Sequence, residues 1–282
     1  MKSSIYPCIW FDGNAQQAAE TYCSAFEDSS IQSSNPMVVI FEIMGKKFMG
    51  LNGGSHYKPN PSISIFTICA SKDQLDAAWN LLLKDGRELM PLNSYPWSDH
   101  YGWLEDKYGV SWQLTLGLQS EKKQPDIFPS LLFTGEQNGK AEEAINFYTS
   151  LFENSKVEVI SKYQSGEQDI EDNIKYAQFT LDGQRISVMD SSHNHAFNFN
   201  QGVSLVVNCD TQEEIDYLWL NLTKGGHEDR CGWCQDSFGV SWQIVPTILG
   251  KLMADPQKSP KVMEAFMKMT KFDIQALKEA AL

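Results

Sequence analysis

Short runs of alternating apolar and polar residues dominate the chain and are interrupted by amphipathic segments of helical period. "IYPCIWF", Ile5 to Phe11, is aromatic and β-branched and predicts a first strand, its proline suited to an early or edge position. Behind it Ala15, Ala18, Ala19, Tyr22 and Phe26 recur at three- and four-residue spacing, the apolar face of a helix that Asn14 can cap. "MVVIFEIMGKKFMGL" predicts two strands joined at Met44-Gly45, where glycine supplies a left-handed turn, and "SISIFTIC" predicts another strand. A second helix buries Leu75, Ala78, Trp79 and Leu82 and opens on Ser71 and Gln74 at capping-box spacing. In "YGVSWQL" the alternation puts Val110, Trp112 and Leu114 on one side, and Ser111, Gln113 and Thr115 on the other.

The same order then recurs. "GNAQQAAETYCSAFEDSSI" from Gly13 faces "GKAEEAINFYTSLFENSKV" from Gly139, "LDAAWNLLLKDG" faces "IDYLWLNLTKGG", and "YGVSWQL" closes on "FGVSWQI", Phe238 to Ile244. The repeat is domain-sized, so the chain reads as two homologous domains, residues 1–117 and 127–246, joined by a polar linker over Leu118 to Asp126. Each domain contains two strand-helix-strands units. Placed side by side, such units form curved sheets with helices outside and a concave side that can enclose a ligand. Residues 247–282 form a helical tail: Ser259-Pro260 and Asp273 suit helix starts, and Val262, Met263, Phe266 and Met267 make a stripe for packing within the chain or against a second copy.

The copies differ in one place that bears on function. The first carries "ELMPLNSYPWSDHYGW" where the second has only "EDRCGW"; Pro91, Tyr95, Pro96 and Trp97 make that loop too apolar for idle surface, so it covers a pocket, packs on the neighbouring domain or packs locally. The second copy has instead an acidic excursion, Lys162 to Tyr176, that reads as a solvated hairpin.

With 282 residues, 42% of them hydrophobic, the chain can bury a substantial core. Its formal net charge of −13 repels phosphate backbones and anionic lipid, so neither nucleic acid nor a membrane is the expected partner. No apolar run is long enough to span a bilayer, and six scattered cysteines read as thiols of a reducing compartment, so the expected location is cytoplasmic. Cys231 and Cys234 form a C-x-x-C in one copy only, without the second pair that tetrahedral zinc requires. Dinucleotide, nucleoside-triphosphate and zinc-protease motifs are missing.

The remaining polar candidates are few. Gln113 and Gln243 share their strand faces with hydroxyls, and a neutral amide offers donors and an acceptor but cannot take up a proton. His56 follows the fourth strand of the first copy, and His193 and His195 the corresponding strand of the second, in loops that could overhang a concave face.

"PCIWFDGNAQQAAETYCSAF", "FMGLNGG", "NPSISIF" and "MPLNSYPWSDHYGWLEDKYGVSWQL" resemble the PhnB-like branch of the glyoxalase, bleomycin-resistance and extradiol-dioxygenase superfamily, whose members often carry the label 3-demethylubiquinone-9 3-methyltransferase. For the fold, the resemblance implies the α+β class, with tandem glyoxalase-like domains each built of two βαβββ modules as a cupped, mixed sheet. In metal-dependent relatives four side chains near strand ends hold a divalent ion, the last a glutamate just after a D-x-x-G turn. By that resemblance Gln113 and Gln243 take the glutamate's place. The first-strand position falls within Tyr6 to Cys8 or Phe128 to Ser130, the fourth-strand one at Met49 and Gly50 or Ser187 and Val188, and the next at Ser62 or Gly202. None of these is histidine or carboxylate. No metal or other cofactor is therefore expected, and the methyltransferase label has no glycine-rich cofactor loop behind it.

The leading expectation is a metal-free protein that binds a small organic molecule, with Cys8, Trp10, Asn52, Ser64, Trp97 and Gln113 lining the first cup and Gln243 the second. One alternative is an enzyme using His56 as base beside Gln113, or His193 or His195 beside Gln243. Another is a structural or interaction protein in which the cups merely stack. One chain already supplies two domains, so it can reproduce internally the pairing that single-domain relatives obtain by dimerising; a homodimer through the tail is the other assembly.

Overall fold

The computed structural model describes residues 5–116 and 125–282. The expected linker, Leu118 to Asp126, lies outside the described residues as far as position 124, and Asp126 already belongs to a strand.

The first repeat runs β1 (Ile5–Phe11), α1 (Ala15–Ala25), β2 (Ser30–Ser34), β3 (Val38–Ile43), β4 (Lys46–Asn52), then β5 (Ile63–Cys69), α2 (Lys72–Leu82), β6 (Arg87–Tyr95), β7 (Ser98–Glu105) and β8 (Ser111–Leu116). The second runs β9 (Asp126–Phe133), a 3-10 turn (Gly135–Gln137), α3 (Ala141–Leu151), β10 (Lys156–Lys162), β11 (Ile174–Leu181), β12 (Gln184–Asp190), then β13 (Val203–Cys209), α4 (Gln212–Leu222), β14 (His227–Glu228), β15 (Trp233–Gln235) and β16 (Ser241–Pro246). Helices α5 (Thr247–Met253), α6 (Ser259–Phe266) and α7 (Ile274–Ala280) form the tail. The four βαβββ modules are those expected from the sequence.

Their pairing is crosswise. One eight-stranded sheet has the order β14-β15-β16-β13-β1-β4-β3-β2, the other β10-β11-β12-β9-β5-β8-β7-β6. Each sheet therefore joins one module from each repeat, at an antiparallel seam: β1 on β13, with Ile5 opposite Val207, and β5 on β9, with Ile63 opposite Leu131. The α+β class and the mixed sheets hold, but the two modules of one repeat do not share a sheet.

The helices cover one face of each sheet and lie between the two. Helix α1 packs Tyr22 against Phe41 of the first sheet and Trp112 of the second, and Ile9, Phe48, Leu75, Trp79 and Leu114 belong to the same buried cluster. The opposite, helix-free faces carry the alternate residues of every strand. The helices thus flank the sheets opposite the cups, as expected, with their apolar faces meeting in the shared core and their polar faces exposed.

Local side-chain caps form at three helix starts, whereas Ser259 is already the first residue of α6 and does not cap it. Ser71 accepts from the Gln74 amide, Thr211 and Glu214 form a complete capping box, and Asp273 accepts from Ala276. Asn14 does not cap α1. The cap comes from Asn52 at the end of β4, whose Oδ1 accepts from the Ala15 amide at 3.0 Å while its Nδ2 donates to the Pro36 carbonyl. Asp190, at the end of β12, serves α3 in the same way through the Gly139 and Ala141 amides.

The tail packs on its own chain. The Cys231 and Gly232 amides donate to Met269 and Thr270 at 2.8 Å, and Phe272 lies so close that a Cβ on Gly232 would approach its ring to 2.5 Å. Val262 and Leu277 are buried, while Met263 and Met267 stay exposed.

Two buried carboxylates tie the sheets together. Asp106 accepts from the Tyr22 hydroxyl of α1 at 2.8 Å, from the Trp112 indole at 3.0 Å and from the Tyr108 and Val110 amides. Asp236 repeats this with Tyr148, Trp242, Phe238 and Val240. Burial pushes both carboxyls up to about 6, against the lowering pull of their four donors.

Asp106→Ala leaves four buried donors unpaired and lowers stability by about 3 kcal/mol or more, seen as a lower urea midpoint at unchanged slope. Because the folded value lies above the unfolded value of about 3.9, protonation favours the fold: this contribution is complete below about pH 4 and is lost as pH rises through about 6. Carbon-detected NMR titration of the two side chains gives midpoints near 6; ordinary aspartate midpoints would contradict the assignment.

Candidate functional site

The helix-free face of the second sheet gathers Gln113 from β8, Ser64 from β5 and Tyr101 from β7. Gln113 is almost fully buried: its Nε2 donates to the Ser64 hydroxyl at 2.6 Å and its Oε1 accepts from the Tyr101 hydroxyl at 2.8 Å. Strand register extends this into a row across four strands, because Ser64 pairs with Ser111 on one side and Ser130 on the other, and Ser130 with Ser187. All four serines are buried, and the hydroxyls of Ser130 and Ser187 have no hydrogen-bond partner. Burial holds the Tyr101 phenol well above its ordinary range, so it stays a neutral donor.

Aromatic rings border this polar row. Phe66 stacks on Phe128 at 5.2 Å and tilts against Tyr176. On the other side the β6–β7 hairpin brings Tyr95, Trp97 and Tyr101 into mutual ring contact, with Trp97 55% exposed. The apolar loop of the first repeat is thus a β-hairpin whose Tyr95 and Trp97 form an aromatic rim beside Tyr101. His100 fastens the hairpin to α2 through Asp76 at 2.6 Å.

The equivalent face of the first sheet is built from other residues. Cys8 of β1 is fully buried beside Ser204 of β13, and the Gln243 amide of β16 and the Ser204 hydroxyl both reach its sulfur. Gln243 also donates to Ser204 at 2.9 Å. Burial pushes the Cys8 thiol up to about 12, which keeps it protonated and a poor nucleophile near neutral pH. Trp10 lies on Gly53, where an added Cβ would approach the ring to 2.1 Å, and its indole donates to the Gly54 carbonyl.

The residues expected to line a single first cup are therefore divided. Ser64, Trp97 and Gln113 belong to the second sheet; Cys8, Trp10 and Asn52 belong to the first, with Gln243. Asn52 is engaged as the α1 cap. The histidine pairings are exchanged as well. His56 is exposed in the loop after β4, a first-sheet strand, whereas His193 and His195 follow β12 on the sheet that holds Gln113. His195 is bonded to the Ser191 hydroxyl at 2.8 Å, and its ring tilts on Phe197. Partial burial lowers its proton affinity.

The donor set does not suit a divalent metal. Of the positions that hold an ion in metal-dependent relatives, Ser130, Ser187 and Gln113 converge on one sheet and Cys8, Met49 and Gln243 on the other; the strand residues beside the two glutamines are Ser64 and Ser204 rather than the expected Ser62 and Gly202, and all of these are uncharged. Among the described residues no group of three or more His, Cys, Asp or Glu side chains could hold one. Tyr101 and Ser204 were not picked out from the sequence, and Ser130 and Ser187 were named there only as positions where a metal ligand is missing; the strand alternation of all four is legible in the sequence, but which strands adjoin is not.

A family model described as 3-demethylubiquinone-9 3-methyltransferase matches residues 3–115 and again 125–245. No curated protein matches the chain. Among solved structures, a PhnB protein from Bacillus cereus is 34% identical over 42% of this chain and 98% of its own, with a TM-score of 0.37. Protein PA1353 from Pseudomonas aeruginosa is 21% identical over 39% of this chain and 93% of its own, with a TM-score of 0.34. Glyoxalase I from Zea mays is 13% identical yet covers 89% of this chain and 97% of its own, with a TM-score of 0.51, a likeness of fold across both repeats.

Thiol chemistry gives a direct check on the site. Burial pushes Cys8, Cys69, Cys209 and Cys234 up to about 12, whereas Cys23 and Cys231 are only partly buried. Iodoacetamide at pH 8 therefore alkylates Cys23 and Cys231 first in the native protein, as read by peptide mass spectrometry; early labelling of Cys8 would contradict its placement.

Proposed function

Because the chain belongs to the 3-demethylubiquinone-9 3-methyltransferase family along both repeats, we propose that it binds a small organic molecule on the helix-free face of the second sheet, without a metal ion. The observation that carries this reading is the Gln113 amide held at both ends by Ser64 and Tyr101, beside two buried serine hydroxyls that lack partners. Such a row is fixed in orientation before any ligand arrives, which reduces the ordering cost of binding. Its groups are amides and hydroxyls that stay neutral near pH 7, so they recognise by hydrogen bonding and do not shuttle protons.

The rim supplies the apolar half of recognition. Trp97 and Tyr95 offer ring faces to a flat or apolar body, and Phe66 and Tyr176 line the wall beyond Gln113. A ligand with a carbonyl or hydroxyl at one end and an unsaturated or aromatic body fits both halves. The first sheet has a much shorter hairpin there, β14 and β15 having two and three residues against nine and eight in β6 and β7, and its rings beside Gln243 are Trp233, the register partner of Gln243, and Trp10, in edge contact at 5.8 Å. A cytoplasmic location and action as a single chain belong to the same proposal; among the described residues no helix is long and apolar enough to cross a membrane.

Native mass spectrometry of protein purified without stripping tests this. One small molecule per chain is expected, released on unfolding, and Gln113→Leu protein that keeps its circular-dichroism spectrum loses it by about tenfold or more, the effect of one amide pair at ~1.4 kcal/mol. Stoichiometric zinc, nickel, manganese or iron would overturn the metal-free reading, and retention of the molecule by Gln113→Leu would overturn its placement.

A further inference from the structure

A cavity of about 500 Å³ opens in the first repeat between the two sheets, among the turns that follow β1, β4, α2 and β7. That volume is within the range of small-molecule sites. Its apolar side is Trp10 and Tyr57, ring edge to ring face at 5.2 Å, with Tyr108 further along. Its rim carries both signs of charge: Asp12 and Asp85, Lys58 and Lys107. Arg87 and Glu105 also reach it but are spent on each other in a two-pronged pair at 2.8 and 3.0 Å. By contrast Asp12, Asp85, Lys58 and Lys107 form no ion pair among the described residues. A further polar atom is left over. Asn52 has taken the α1 cap, so Asn14, at the cavity edge, keeps a buried Oδ1 without a partner.

The second repeat treats the same location differently. Phe238 replaces Tyr108 and is buried, Phe199 packs on Phe133 at 5.0 Å, and the Gly135–Gln137 turn is inserted before α3. The second copy fills the junction with rings, whereas the first leaves it open, with charges of both signs at the rim.

We propose that this cavity is a second binding site, for a small zwitterion with an apolar body, such as an amino acid with a ring side chain. The ammonium lies toward Asp12 and Asp85, the carboxylate toward Lys58 and Lys107, and the ring packs on Trp10 and Tyr57, where an aromatic face also favours the nearby cation. A ligand with one charge satisfies half of the rim and leaves the other half repelling or unpaired, so the rim selects for both charges together.

Isothermal titration of the full chain with phenylalanine, phenethylamine and 3-phenylpropionate reads this directly. Phenylalanine is expected to bind saturably, and each singly charged analogue at least about tenfold more weakly, a difference of ~1.4 kcal/mol. Lys107→Ala and Asp85→Asn should each weaken phenylalanine by a similar factor; asparagine tolerates the left-handed backbone at position 85, where φ is 61°, so the second variant keeps its fold. Gln113→Leu should leave this binding unchanged, which separates it from the site on the second sheet. Absence of saturation up to about 10 mM, equal affinity for the analogues, or loss of binding in Gln113→Leu would each overturn the proposal.

Discussion

Two buried carboxylates join the sheets of this molecule. Asp106 and Asp236 each draw in a tyrosine hydroxyl from the helix of one module and an indole from the strand of another, so each joins elements that belong to different sheets. Removing a carboxylate from water is costly, and only the full set of four donors makes the site tolerable. The helices between the sheets are consequently fixed in rotation, and with them which residues of β8 and β16 face the core and which face outward.

The outward faces inherit that orientation and then diverge. With Trp112 held by Asp106, the next residue, Gln113, points to the helix-free side, where Ser64 and Tyr101 lock its amide. With Trp242 held by Asp236, Gln243 does the same beside Cys8 and Ser204. Both copies keep the scaffold interaction while the surroundings differ: Gln113 lies beside the long β6–β7 hairpin with Tyr95 and Trp97, and Gln243 beside Trp233 and a thiol that burial keeps protonated. The crosswise sheets mean that neither face belongs to one repeat alone, since Ser130 and Ser187 come from the second repeat and Gln113 from the first.

Most of the elements were legible in the sequence because they depend on local chemistry. Alternation placed Trp112 and Gln113 on opposite faces, spacing identified the buried sides of the helices, and the Thr211 and Glu214 box and the Asp273 cap work within a single turn. What escaped depends on contacts distant in sequence. Asn14 has the right residue type for a cap, yet Asn52 reaches the same amide from the neighbouring strand, and nothing local distinguishes the two. Likewise a periodic strand does not reveal its neighbour: β1 could have adjoined β5 of its own repeat, and its pairing with β13 separated Cys8 from Gln113.

The seams also account for how the two repeats are connected. Leu116 at the end of β8 and Asp126 at the start of β9 both flank the end of β5, opposite Cys69 and Ile68. They are thus about two strand spacings apart, roughly 10 Å. A seam that two separate chains would have to find by diffusion is closed here by a tether, so its partner strand is present at a fixed effective concentration. Dilution, which dissolves a dimer of such modules, has no purchase on these seams.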